Sequence, residues 1–458
     1  MLLVLVIPMV IQQGITSFVS LLDNLMVGSL GTEQMSGVAI VNQLFFVFTL
    51  ALFGGISGVS IFGAQFFGMR DYKGMRHAMR LKLYFGAVVL AVSVLLLLTR
   101  GDALIGLFLS RENNDPAAIA ATLGYARSYL KVIVWGFFPF MIVQVYAGTL
   151  RETGETVVPM AASIVAILVN LTGNYLLIFG NFGFPRMEAA GAALATVISR
   201  WAEMSIVVIY AHRNEAKYPF LQGLYTSMRV PLSFVRKVLV TGSPLMVNEL
   251  LWSLGTTAVS QNYSTRGLQV VAAVNITVTV WELFSVIMFS MGNAVAILVG
   301  QNLGAGRIEE AKDVDRKLLA FNLVLHLVIG GLLAAAAPLI PRLYNTEPEV
   351  RRLACQLIIV AGASLPVHAF VHTAYFTIRS GGKTIVTFFF DSFFTWVLPV
   401  PVSYLLCRYT ALPIVAVYAV VQFLDAIKLC IAIPMLKSGF WAKNVVRSEA
   451  EKDQILPE

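Results

Sequence analysis

The stretch MLLVLVIPMVIQQGITSFVSLLDNLMVG, residues 1–28, decides the fold. It is long and apolar enough for a helix through a bilayer, which needs about 20 mainly apolar residues. It opens without a basic leader and without a small-residue cleavage site, so it reads as a first spanning helix rather than a secretory signal. Its polar residues are not scattered. Gln12, Thr16, Ser20 and Asp23 recur at spacings of four, four and three, which on a helix makes one polar stripe ending in a carboxylate.

The rest of the chain has the same character. Of 458 residues, 58% are hydrophobic and only 13% charged, whereas soluble domains are about a quarter charged. Twelve spanning helices are expected, at roughly 2–28, 36–66, 81–99, 124–149, 156–180, 189–212, 238–263, 270–302, 318–341, 353–378, 384–406 and 411–436. The formal net charge of +8 needs no nucleic-acid partner, because basic cytoplasmic loops account for it. Cys355, Cys407 and Cys430 lie far apart with no metal spacing, and read as small apolar residues.

Basic residues set the expected orientation. Segments 70–82, 213–237 and 307–317, with the tail carrying Lys437, Lys443, Arg447 and Lys452, all fall on one side. Opposite loops offset their bases with acids, as in Arg111–Glu112. The positive-inside rule then places both termini in the cytoplasm, as an even helix count requires.

The chain also repeats. At an offset of 236, Pro8 matches Pro244, Ser17 Ser253, Gln65 Gln301 and Gly68 Gly304; after a small shift, Thr149, Arg151 and Gly154 match Thr377, Arg379 and Gly382. Six helices per half gives halves of equal orientation, a parallel repeat about the membrane normal. The expected organisation is an all-α membrane protein of two pseudo-symmetric six-helix lobes. Residues 1–212 form the first lobe, 213–237 a cytoplasmic linker, 238–437 the second lobe and 438–458 a cytoplasmic tail.

Ionisable residues at membrane depth are costly and usually face the bundle interior. Besides Asp23, the fifth helix carries Asn170 and Asn174 one turn apart, and the sixth carries Thr196, Arg200 and Glu203 on one face. The asparagines read equally as interhelical hydrogen-bond glue, and Arg200–Glu203 as a structural pair. In the second half stand Glu249, Glu282, His368, His372, Asp391 and the pair Asp425–Lys428. His368 and His372 have the spacing of a metal pair, but no further ligand pattern accompanies them, so no metal is expected. Asp425–Lys428 reads as self-neutralising. No phosphate-binding loop occurs, so no ATPase activity is expected, and no clustered catalytic constellation suggests an enzyme.

Taken together, IPMVIQQGITSFVSLLDNLMVGSLG, GAQFFGMRDYKGMRHA, its echo GQNLGAGRIEEAKDVDRK, TLRETGET and the pattern around Asn170 resemble the MATE (multidrug and toxic compound extrusion) family, of the bacterial NorM/DinF kind, over nearly the whole chain. The resemblance implies the MATE fold and a monomeric, multi-pass efflux antiporter of the bacterial inner (plasma) membrane. It would be coupled to H⁺ or Na⁺, carry small organic cations and need no other cofactor. It also implies an N-lobe site at Asp23, Asn170, Asn174 and Thr196, with any Na⁺ held at Asp23 and Asn170. Asn174 departs from the family, which has a carboxylate there, and losing one charge weakens a Na⁺ site more than a proton site. In the C-lobe the NorM-like acid of the seventh helix matches Glu249, while that of the tenth falls near His368; Glu282 and Asp391 complete the candidates.

Two other transporter readings remain at this stage. A lipid-linked saccharide flippase of related architecture would want a long cationic cavity, whereas intramembrane acids outnumber bases here. A major-facilitator carrier would want a basic loop signature that GMRDYKGMRHAMR lacks.

Overall fold

The computed structural model describes residues 2–109, 116–344 and 346–447. Arg111, Glu112, Lys452 and the Ser20 side chain therefore lie outside the described residues. The first six helices are α1 (Leu2–Gly28), α2 (Thr32–Met69), α3 (Tyr72–Gly106), α4 (Pro116–Glu152), α5 (Val157–Phe179) and α6 (Glu188–Arg213). The second six are α7 (Leu232–Ser264), α8 (Leu268–Gly304), α9 (Ile308–Ala336), α10 (Pro348–Ser380), α11 (Thr384–Tyr409) and α12 (Ile414–Ser438). No strand occurs among the described residues. An all-helical chain is what a bilayer demands, since each backbone polar group must be satisfied within its own segment.

Among the described residues, helices α2–α6 and α8–α12 are each long and apolar enough to cross a membrane. Helices α1 and α7 open the two halves. In α1 the apolar stretch runs over Val4–Val19, and α7 is diluted by Arg236, Lys237, Asn248 and Glu249. Each contains an internal proline, Pro8 or Pro244, at matching repeat positions.

Helix limits differ from expectation where charge is dense. Helices α3 and α9 begin at Tyr72 and Ile308, about ten residues before their apolar stretches. A hydropathy window sees only the apolar core of a helix, while the chain continues helical through the basic segments beside it. Helix α11 is interrupted twice, by a π-turn over Phe389–Phe393 and by a restart at Pro399. A single 3₁₀ turn over Val134–Gly136 breaks α4.

The chain divides into two compact units. The first holds residues 1–63 and 72–235; the second holds 64–71 and 236–458. The end of α2 thus belongs to the second unit, and repeat-matched residues seat it there. A Cβ on Gly68 would lie 1.9 Å from the Gln301 carbonyl oxygen, and one on Gly304 would lie 1.9 Å from that of Gln65. The contact is reciprocal, so both glycines are required by one backbone crossing. Gln65 is fully buried beside it. Its Nε2 donates to the carbonyls of Ser380 (2.8 Å) and Lys443 (3.2 Å), and its Oε1 accepts from the Val445 amide (2.8 Å).

In the first unit, residues 214–231 are a fitted strap. Arg80 donates to the carbonyls of Gly223 (2.8 Å), Leu224 (2.9 Å) and Arg229 (3.2 Å), while Tyr218, Phe220, Leu221 and Leu224 are buried. Lys217 (2.5 Å) and Tyr218 (3.0 Å) both reach Glu155. Against the opposing pull of burial, these two donors hold the Glu155 carboxyl below its ordinary range. Between α3 and α4, Lys82 and Glu152 form a buried ion pair at 2.5 Å, with Thr149 Oγ1 also accepting from Lys82 (3.2 Å).

Two outcomes test this packing. Gly304→Ala should lower the stability of the detergent-solubilised protein by about 1–3 kcal/mol through overpacking. Gly331→Ala, whose added Cβ meets nothing within 4 Å, should not destabilise it; thermal unfolding compares the two. Lys82→Met should cost about 3–5 kcal/mol by stranding a buried carboxylate, and a second change, Glu152→Leu, should recover most of it.

Candidate substrate and coupling site

The polar stripe of α1 faces matching stripes on α5 and α6. Gln12 Nε2 donates to Ser163 Oγ (2.6 Å), and Ser163 Oγ donates to Glu203 Oε1 (2.5 Å). Glu203 Oε2 takes a hydrogen bond from Arg200 (2.9 Å), and Gln12 Oε1 takes one from Arg151 (3.0 Å). Further along the same faces sits Asp23. Asn174 Nδ2 donates to its Oδ1 at 2.6 Å. Asn170 Nδ2 donates to Thr196 Oγ1 (3.2 Å) and its Oδ1 accepts from Asn174 Nδ2 (3.3 Å); turning the amide over, which matches donors to acceptors better, sets Nδ2 toward Asp23 (3.0 and 3.2 Å) and lets Oδ1 accept from Thr196 Oγ1.

Asp23, Asn170, Asn174 and Thr196, proposed from the sequence, therefore meet at one point. The carboxylate is solvated by two side-chain amides, and both present nitrogen to it. Asn174 Oδ1 is buried with no hydrogen-bond partner.

The group stands on the wall of two cavities. One, of about 300 Å³, is lined by Asp23, Asn174, Thr196 and Arg200 together with Asn42, Phe45 and Tyr129. A smaller one, of about 80 Å³, lies behind it and shares Asp23, Thr196 and Arg200 while adding Ser163 and Glu203. Sequence reasoning had set Arg200 and Glu203 aside as a structural pair and had not singled out Ser163. The available signal was spacing: Ser163 lies two turns before Asn170, and Arg200 one turn after Thr196.

The second unit holds its own cluster. Asn248 Nδ2 donates to Asp391 Oδ2 (3.0 Å), and Asn248 Oδ1 accepts from Ser392 Oγ (2.7 Å). Lys428 lies 3.7 Å from Asp391 and 3.2 Å from Asp425, and His368 Nε2 lies 3.7 Å from Asp425 Oδ2. Asp391 and His368 are thus linked through Asp425 and Lys428, the pair read from sequence as self-neutralising. Asp391 sits in the π-turn of α11, an irregularity frequent at functional sites. Glu249 is half-buried, within electrostatic reach of Arg379 and Asp391, and makes no ion pair among the described residues. Glu282 is exposed on α8 and joins neither cluster. His368 and His372 diverge: His372 packs on Phe289 and Phe376 while His368 turns to Asp425. No group of three or more His, Cys, Asp or Glu able to hold a metal occurs among the described residues.

The two clusters occupy equivalent places. Asn248 stands at the repeat position of Gln12, and Asp391 at that of Ser163. Each of α6 and α12 adds two opposite charges three residues apart, but in reversed order: Arg200–Glu203 against Asp425–Lys428.

Comparison with known proteins agrees with this duplication. The MatE family model matches the chain twice, over residues 8–176 and 244–405, starting at the repeat-matched prolines. A probable multidrug resistance protein NorM of Thermotoga maritima is 25% identical over 432 residues, covering 93% of this chain and 89% of that protein. A probable multidrug resistance protein YoeA of Bacillus subtilis is 27% identical over 418 residues, covering 90% and 88%. A mutant of the Vibrio cholerae MATE transporter VcmN superposes with a TM-score of 0.84 at 17% identity, covering 96% of this chain and 97% of that one. With its doubled helical repeat, the chain is a multi-pass membrane protein that belongs to the MATE family, whose members are transporters rather than enzymes.

Proposed function

We propose that this protein is a proton-coupled antiporter that exports small organic molecules across the bacterial plasma membrane by alternating access. Its moving bodies would be residues 1–212 and 238–437, with both termini cytoplasmic, and it would act as a monomer. The observation that carries this reading is Asp23 on a cavity wall, solvated by the amides of Asn170 and Asn174.

An ionised Asp23 accepts both amide donors and attracts the positive end of a substrate. Once protonated, it becomes a donor and loses that attraction, and its hydroxyl can satisfy the buried Asn174 oxygen after the amide rotates. Proton and substrate then compete for one carboxylate, which is the minimal coupling an exchanger requires. Asp391 and His368, tied through Lys428 and Asp425, form a second place where a proton can be exchanged, with Glu249 nearby. Glu282 contributes from outside both clusters. The names of the multidrug-resistance relatives support a small-molecule cargo, and the half-basic, half-acidic cavity offers little to a long polyanionic saccharide lipid.

Reconstituted vesicles test the proposal with a fluorescent organic cation and separately imposed proton and Na⁺ gradients. Wild-type transport should follow the proton gradient. Asp23→Asn should lower it by about tenfold or more while leaving membrane insertion and the unfolding temperature intact. Transport that follows only Na⁺, or that survives Asp23→Asn, defeats the proposal.

A further inference from the structure

The second unit's polar cluster is built around an ammonium. Lys428 Nζ lies 3.2 Å from Asp425 Oδ1 and 3.7 Å from Asp391 Oδ1, and its side chain is only 4% exposed. Two aromatic faces stand against it as well, with Nζ 4.8 Å from the Phe394 ring centroid and 5.8 Å from that of Phe390. What holds a cation once water is withdrawn is opposite charge and the negative face of an aromatic ring. The helices are shaped to supply both. Phe390 and Asp391 stand in the π-turn of α11, and Phe394 follows it directly. The helical hydrogen bonding of α12 is interrupted at Leu424, just before Asp425. Each acid is engaged from outside through its other oxygen: Asp391 Oδ2 accepts from Asn248 (3.0 Å), and His368 Nε2 lies 3.7 Å from Asp425 Oδ2. One oxygen of each carboxylate is thus left to the ammonium.

Two carboxylates converging on one buried cation also describe a site for a bound alkali ion, because hard cations are held by oxygens. Exchanging the ammonium for such an ion leaves the summed charge of the cluster unchanged. We propose that Lys428 is a tethered cation that fills the place an alkali ion would take in the second unit, and so fixes this cluster's ion specificity by excluding Na⁺. An ammonium on a four-carbon stem is a compact point charge. It is part of the chain, so it crosses no membrane and carries no gradient. An alkali ion arriving from either side finds the converging oxygens already taken. A proton needs none of the ammonium's volume, since it binds a single carboxylate oxygen. This deepens the proton-coupled reading, and it rests on that reading for transport but not for ion occupancy.

Thermal unfolding of the purified full-length protein in detergent tests it, in NaCl against choline chloride at equal ionic strength. Every sample carries Asp23→Asn, so that a Na⁺ site in the first unit cannot supply the response. With Lys428 in place, the unfolding temperature should be the same in both salts. Lys428→Met keeps the length of the stem and removes the charge. It should unfold at a lower temperature in choline chloride and recover by about 2 °C or more in about 100 mM Na⁺. Lys428→Gln, milder because its amide still donates to a carboxylate, should show the same recovery. Lys428→Arg should show none, and adding Asp391→Asn to Lys428→Met should abolish it. Loss of a purely structural ion pair would lower the unfolding temperature equally in both salts. That result in Lys428→Met and Lys428→Gln overturns the proposal, as does failure of both to fold even in Na⁺. A Na⁺ response that is present with Lys428 in place and is removed by Asp391→Asn overturns it too. Wild-type vesicles that follow only a Na⁺ gradient, while the Lys428→Met response holds, would instead count against the proton-coupled reading.

Discussion

A carboxylate held among membrane helices must be solvated by the protein, and the first unit is arranged around that requirement at Asp23. Water would supply several donors; here the amides of Asn170 and Asn174 replace it. Those amides must stand one turn apart on α5, and Thr196 on α6 must fix the direction of one of them. This ties three helices at one depth. The chain Arg151–Gln12–Ser163–Glu203–Arg200 extends the tie along the same helix faces. Fully paired buried networks rigidify a site, whereas partly paired ones are costly. Two atoms here lack partners, Arg151 Nε and Asn174 Oδ1, and the second sits at the carboxylate whose protonation would create the missing donor.

The duplication separates scaffold from chemistry. Repeat-matched glycines recur because one backbone crossing needs both: Gly68 meets the Gln301 carbonyl as Gly304 meets that of Gln65. The polar network recurs in connectivity but not in charge. A helix-one amide reaches a helix-five residue in both units, and a pair of opposite charges three residues apart stands on the last helix. At the offset that matches Ser163 to Asp391, Arg200 matches Lys428, so both units set a cation there: Arg200 pairs with Glu203 in the first, and Lys428 lies 3.7 Å from Asp391 in the second.

Much of this was legible in the sequence. Twelve helices and their repeat follow from apolar length and fixed offsets, whereas the grouping of Asp23, Asn170, Asn174 and Thr196 came from the resemblance to the MATE family. The helix starts at Tyr72 and Ile308 did not, because hydropathy records the membrane rather than the helix. Lys428 was assigned to its neighbour Asp425, since periodicity sees contacts within a helix and is blind to Asp391 on another. Asn248 escaped notice because an amide beside Glu249 looks like the lesser residue. Its identity as the counterpart of Gln12 needed the three-dimensional partner, Asp391, to give it meaning.

The same blindness hid a polar seam between α9 and α10. Asp315, placed by sequence in a basic cytoplasmic segment, is buried and accepts from Thr377 Oγ1. Two turns on, buried Asn322 donates to Thr373 Oγ1 (2.7 Å) and the Ala369 carbonyl (3.1 Å), and His326 Nδ1 pairs with the Asn322 carbonyl (2.9 Å). The bonds of Asp315 and Asn322 join the two helices, much as the buried Lys82–Glu152 pair joins α3 to α4 in the first unit, while that of His326 stays within α9. Interhelical hydrogen bonds within a bilayer are each worth only about 1 kcal/mol, so the α9–α10 contact relies on several, whereas α3 and α4 are joined by two ion pairs, the buried Lys82–Glu152 and the exposed Arg127–Asp102. The Asn322 oxygen and His326 Nε2 lack partners, and burying an unpaired polar atom costs about 1–3 kcal/mol. That cost offsets much of what the bonds contribute. The first unit bears the same kind of cost at Gln34 Oε1, Arg151 Nε and Asn174 Oδ1, so in both halves interhelical bonds are set against buried polar atoms left unpaired.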